Sequence, residues 1–157
     1  MDTGSLLWFL AVITAGLAAG AMLGEFLLLG PFQSWFFETG NSEIFRKSYV
    51  QFRKTRRAAL IFNGVYVIAI LVGIAYLVFL LVGGKIAVLP IVAVVLQWLF
   101  PLVFYGSGFA GLEHQVFGGN TSKELANKFR ARNVPSLGIY TLLWCASFCI
   151  LVFMRVQ

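Results

Sequence analysis

Glu25 is an acid set inside the long apolar run Leu6 to Leu29. An ionisable side chain at the centre of a bilayer costs about 2.5 to 3.5 kcal/mol on insertion scales, so one that persists there is expected to face other helices and have a use or a partner. Two uses fit a lone carboxylate. It can act as a general base, or it can reach toward Arg56 or Arg57 at the membrane surface as a structural pair. His114, the single histidine, lies in the run Glu113, His114, Gln115. It can exchange protons near neutrality, with an unperturbed pKa of about 6.5, or it can be a solvated loop residue. One histidine is too few for bis-histidine haem, a zinc site of several imidazoles or a di-iron carboxylate site, so no self-contained metal centre is expected.

Asn63, Tyr105 and Tyr140 fall at a depth similar to Glu25 when successive apolar runs are laid in alternating directions. Together they predict a polar layer that could hold a ligand or handle a proton. Other motifs carry less. Cys145 and Cys149 are one helical turn apart with no CxxC spacing, as packing residues would be. Gly106, Gly108 and Gly111 reproduce GxGxxG without the strand and helix that give it meaning.

The elements that must position these residues follow from composition. Hydrophobic residues make up 60% of the chain and charged residues 11%, with mean hydropathy +0.88, which excludes an ordinary soluble globule. A bilayer core needs roughly 20 apolar residues per helix. Four runs qualify, at about 6–29, 58–82, 86–107 and 136–156. The first follows Asp2 rather than basic residues and is read as a retained span, not a secretory signal. The fold class expected is therefore an all-α membrane protein, one antiparallel bundle of four transmembrane helices.

Orientation follows from charge. Arg46, Lys47, Arg53, Lys54, Arg56 and Arg57 lie between the first two runs, and Lys123, Lys128, Arg130 and Arg132 between the last two. Only Lys85 and Arg155 remain of the twelve Lys and Arg, so loops 30–57 and 108–135 are expected on the cytoplasmic side and both termini on the outer side. The net charge of +6 is a topology signal, with membrane lipids as partners and no nucleic acid. The sequon Asn120, Thr121, Ser122 would then lie where no glycan is added.

Within the basic connections, Asn41 and Ser42 before Glu43 predict an amphipathic helix over 43–57 that runs on into the second span. Thr121 and Glu124 have capping-box spacing for another over 122–132, before Pro135 opens the last span. The stretch Pro31, Phe32, Trp35, Phe36, Phe37 reads as an interfacial anchor where the first helix leaves the core. Gly16, Gly20 and Gly24 make overlapping GxxxG units, a stripe that suits close packing against another helix of this chain or against a second subunit.

Two segments, AGLAAGAMLGEFLLLGPF (15–32) and LANKFRARNVPSLGIYTLLW (125–144), resemble the opening and closing segments of the small four-span anthrone-oxygenase-like family. The shared features are a small-residue-rich first helix ending at Pro31, and Phe129 with Asn133 leading into the last helix. The chain departs at Phe129, where tryptophan is expected, and at Pro135, where a basic residue is usual. The resemblance implies a membrane enzyme that oxidises an electron-rich polycyclic phenol with molecular oxygen and no bound cofactor. On that reading Glu25 or His114 is the base, and Asn63, Asn133 and Tyr140 orient the substrate oxygens. The other reading is a non-catalytic accessory subunit that uses its glycine stripe and aromatic faces to pack into a larger membrane complex; a transporter is a third, disfavoured because four spans show neither an internal repeat nor broken helices.

Overall fold

The computed structural model describes residues 2–85, 87–118 and 122–154, and every element among them is helical. Asp2 starts the first helix, α1 (Thr3–Glu38), by accepting the Ser5 amide at 2.6 Å. Then come α2 (42–55), α3 (Ala58–Val82), α4 (Val88–Gly106), α5 (Phe109–Gly118) and α6 (Lys123–Phe153). Four of these, α1, α3, α4 and α6, are long and apolar enough to cross a membrane. The chain is thus a multi-pass helical membrane protein in type.

Helix α1 packs against α3 and α6, and α4 packs against α6, while α3 and α4 touch one another less. The face α1 turns inward is an alanine face: Ala11, Ala15, Ala18 and Ala19, ending at Met22. Small side chains there let neighbouring helices come close. The glycine stripe plays a smaller part than its spacing suggests. A methyl group on Gly16 would meet Phe148 at 3.0 Å, but one on Gly20 or Gly24 would meet nothing within 4 Å. Closer approaches occur at Gly4, where it would lie 2.8 Å from Phe79, at Gly30, 2.6 Å from Leu137, and at Gly73, 2.5 Å from Oε1 of Gln97.

Several boundaries differ from those the sequence suggests. Helix α1 does not end at Pro31 but continues to Glu38, because the turn Glu25–Leu29 is π-helical and Gly30 donates to the carbonyl of Glu25. A widened turn relieves the clash between a proline ring and the carbonyl four residues back. Likewise Lys123–Phe153 is one helix with Pro135 inside it, not a short helix followed by a span. A membrane helix tolerates the loss of one amide where neighbours re-satisfy the freed carbonyl. Its N-cap is Ser122, whose hydroxyl accepts the Leu125 amide at 3.2 Å. Asn120 and Thr121, with the sequon and the capping box, lie outside the described residues, as do Ile86 and residues 155–157. Helix α2 does not run on into α3: Arg57 takes the left-handed conformation, φ 51°, and breaks the two apart.

The α3–α4 turn is tight. Lys85 donates to Leu80 and Gly84 to Leu81, with Gly84 at φ 68°, a positive value that glycine adopts without strain. Midway along α4 Gln97 donates to Ser147 at 3.1 Å and Ser147 to the carbonyl of Ala93 at 2.9 Å, pinning α4 to α6. The Gln97 side-chain oxygen, Oε1, lies over Gly73, 2.5 Å from where a methyl group there would stand.

Candidate functional site

At the opposite end of α3 and α4, where α2 and α5 cap the bundle, the six helices line a partly open cavity of about 670 Å³. That is the size range of small-molecule sites. Eleven of its twenty-three lining residues are aromatic, enough to make the walls flat stacking surfaces. Among them Phe100 contacts Tyr140 edge-on at 5.3 Å, and Phe109 stacks on Phe129 at 5.9 Å between ring centres. Trp144, wholly buried behind this wall, packs against Tyr66 and Phe100.

Polar groups enter from every helix. Helix α1 presents Glu25 and Gln33, two helical turns apart on the stripe Met22, Glu25, Leu29, Gln33. Helix α3 presents Asn63 and Tyr66, three residues apart, and the Tyr66 hydroxyl donates to Oε1 of Glu25 over a long 3.5 Å. Asn133 of α6 is buried and donates its amide to the carbonyl of Gly30 at 3.2 Å and to Oε1 of Gln33 at 3.1 Å. Gln33 then donates to the Tyr49 hydroxyl at 3.1 Å. One continuous chain of amides therefore ties α6 to α1 and to α2. Tyr49 stands on a second π-helical turn, Arg46–Val50. Such turns are frequent at functional sites, and here each of the two carries a polar group of the cavity.

The cap is held by charge and stacking. Arg53 of α2 donates to Oε1 of Glu113 on α5 at 2.8 Å, and its guanidinium sits 4.2 Å above the Phe117 ring. The same cap buries Tyr49 and so pushes its phenol pKa up, since burial disfavours the phenolate. The Tyr140 hydroxyl is buried too, with Ser107 and Ser136 in its vicinity but no group in hydrogen-bond geometry with it among the described residues.

Glu25, Asn63, Tyr105, Asn133 and Tyr140 thus line one cavity. His114 does not: it is exposed on α5, and its neighbour Glu113 is the residue that faces inward. Arg56 and Arg57 are exposed on the turn before α3, while Arg53 lines the cavity that also holds Glu25. Gln33, Tyr49, Arg53, Tyr66 and Glu113 were not singled out from the sequence as site residues. Gln33 had a signal, being two turns from Glu25 on the same helix face, and so had Tyr66, one turn beyond Asn63. Arg53 had none that separated it from five other cations in its loop.

Among the described residues no group of three or more His, Cys, Asp and Glu side chains could hold a metal ion. The arrangement can stack a flat molecule, donate hydrogen bonds to its oxygens, and offer a carboxylate as proton acceptor. No family model, curated protein or solved structure matches this chain.

Proposed function

We propose that this protein binds a flat, hydrophobic phenolic or quinone-like molecule in the aromatic cavity and oxidises it with dioxygen, in the manner of the anthrone-oxygenase-like proteins its two segments resemble. One observation carries the reading: the acid inside the first span, Glu25, opens onto a cavity of about 670 Å³ walled largely by aromatic rings. In this reading the helices alternate in direction, both termini lie outside, and the capped end with its basic connections faces the cytoplasm. The distribution of Lys and Arg along the chain supports that orientation.

Glu25 accepts a proton from an activated ring methylene, leaving a carbanion delocalised as the phenolate. That carbanion gives its electrons to dioxygen and forms the carbon–oxygen bond. The resulting hydroperoxide, once protonated, loses water, so that CH₂ and O₂ become C=O and H₂O. Asn63 and Tyr140 orient the substrate oxygens, and Tyr66 holds the Glu25 carboxylate. Asn133, with both of its described bonds made to protein, steadies the site through Gln33.

Glu25→Gln tests the reading. With an anthrone substrate and dioxygen uptake as the assay, turnover should fall by at least about 100-fold, the low end of what a general base contributes, while size-exclusion behaviour is kept. Unchanged turnover removes Glu25 from the mechanism. A second reading, an accessory subunit, draws on the open space above Gly20 and Gly24, which leaves part of the small-residue stripe free for another subunit. Purification in mild detergent separates the two, because an accessory subunit travels with a stoichiometric partner and the enzyme is active alone.

A further inference from the structure

The walls of the cavity differ sharply in exposure. On α1 and α6 the lining is sealed: Met22 is 2% exposed, Phe129 1% and Asn133 2%. On α3 and α4 it is open, with Val67 52% exposed and Tyr105 72% exposed, and Phe62 and Asn63 exposed beside them. These residues belong to two helices long and apolar enough to cross a membrane, so lipid is the solvent their exposed faces suit. Asn63 lies five residues into α3, about 7 to 8 Å along its axis, and Val67 about 13 to 14 Å, well past the surface turn at Arg57. Tyr105 stands one residue before the end of α4, at the level where tyrosine favours the interface.

The capped end is bridged by contrast, although Phe52 of its lining is exposed. Phe45 and Val116 are buried in the cap, Phe45 stacks on Tyr49 at 4.9 Å between ring centres, and the Arg53–Glu113 pair bridges α2 to α5 above Phe117. At that end a charged pair ties two helices across the lining. Helices α3 and α4 carry no charged residue, so no ion pair can tie their side of the cavity shut.

Resting on the proposed function, we propose that the ligand reaches the cavity sideways from the lipid, between the start of α3 and the end of α4. It is therefore a membrane-dissolved aromatic whose ring enters the cavity, and an apolar chain carried on that ring would be left in the bilayer. Phe62, Val67 and Pro101 form the apolar mouth, Tyr105 is its sill, and the amide of Asn63 is the first polar group an entering ring meets.

The test uses the full chain in lipid nanodiscs and two probes, an anthrone and the same anthrone carrying a decyl chain, each corrected for partition into empty nanodiscs. The two should bind within about three-fold of one another, because a chain that stays among lipids neither gains nor loses much hydrophobic free energy. If the anthrone binds and the decyl compound is weakened more than about ten-fold, a loss near 1.4 kcal/mol, the sideways mouth is overturned while the proposed function stands. If neither binds, the proposed function fails and the ligand assigned here fails with it. A second measurement is independent of any ligand. With Cys145 and Cys149 replaced by alanine, a nitroxide on Val67→Cys should collide with oxygen in the lipid far more than with a water-soluble nickel chelate. The reverse preference overturns the mouth outright.

Discussion

Asn133→Ala probes the amide chain that ties three helices at the site. The wild-type side chain is 2% exposed and gives two hydrogen bonds, to the Gly30 carbonyl and to Gln33. In a soluble core each would contribute about 1 kcal/mol net, and the orphaned Gln33 oxygen would cost about 1 to 3 kcal/mol more, a total near 3 to 5 kcal/mol. Between membrane helices such bonds average only about 0.6 kcal/mol, because unfolded helices in lipid find other partners. Asn133 sits near the capped end, where unfolding exposes these groups to water, so the expectation lies between the limits, at about 2 kcal/mol. That is about 30-fold in the folding equilibrium. Reversible unfolding in mixed detergent micelles measures it, and a double-mutant cycle with Gln33→Ala isolates the shared bond, with a coupling of about 0.6 to 1.7 kcal/mol expected. A cost below about 0.5 kcal/mol, the range of a neutral surface change, or an additive cycle refutes the claim that this network holds the site together.

Gly73→Ala should cost about 1 to 3 kcal/mol in the same unfolding assay, since the new methyl falls 2.5 Å from the fully buried Gln97 amide oxygen; adding Gln97→Ala should make the two costs clearly less than additive. Gly20→Ala, with open space at that position, should be neutral or stabilising by up to about 1 kcal/mol through helix propensity, and a loss of stability or of a co-purifying partner would instead reveal an interface. The Tyr49 phenol has its pKa raised above the usual value of about 10 by burial. Its protonated form is the one favoured by folding, so its contribution is fully present below pH 10 and is lost as pH rises through the folded value. Alkaline unfolding followed by absorbance should therefore begin above pH 10, with a shallower dependence in Tyr49→Phe; an unchanged alkaline limb in that variant contradicts this role.

Much of the architecture was legible in the sequence because hydropathy sums along a single helix. Runs long enough for the hydrocarbon core stand out whatever their neighbours do, and the four apolar runs correspond to four long helices. The polar layer was partly legible for the same reason. Depth along a helix is counted in residues, so Glu25, Asn63, Tyr105 and Tyr140 could be aligned before any contact was known. Rotation about the axis was not available that way. It separates Glu113, which faces the cavity, from the adjacent His114, which does not. Glycine spacing told only part: of the regular repeat at Gly16, Gly20 and Gly24 the first meets a neighbour within the chain, while tighter contacts fall at Gly4, Gly30 and Gly73, whose partners Phe79, Leu137 and Gln97 lie far away in the chain.

Prolines and arginines show the limit of local rules most directly. Pro31 and Pro135 were read as boundaries and sit inside continuous helices, while the break between α2 and α3 falls at Arg57, where no glycine or proline marks it. What the amino-acid sequence determined by itself is the solvent each segment requires, because transfer of an apolar run out of water depends on its own composition. What only the tertiary structure decided is which face each helix turns inward and where its hydrogen bonds find partners. Those choices depend on side chains far apart in sequence, such as Asn133 meeting Gly30, and no window along the chain contains both.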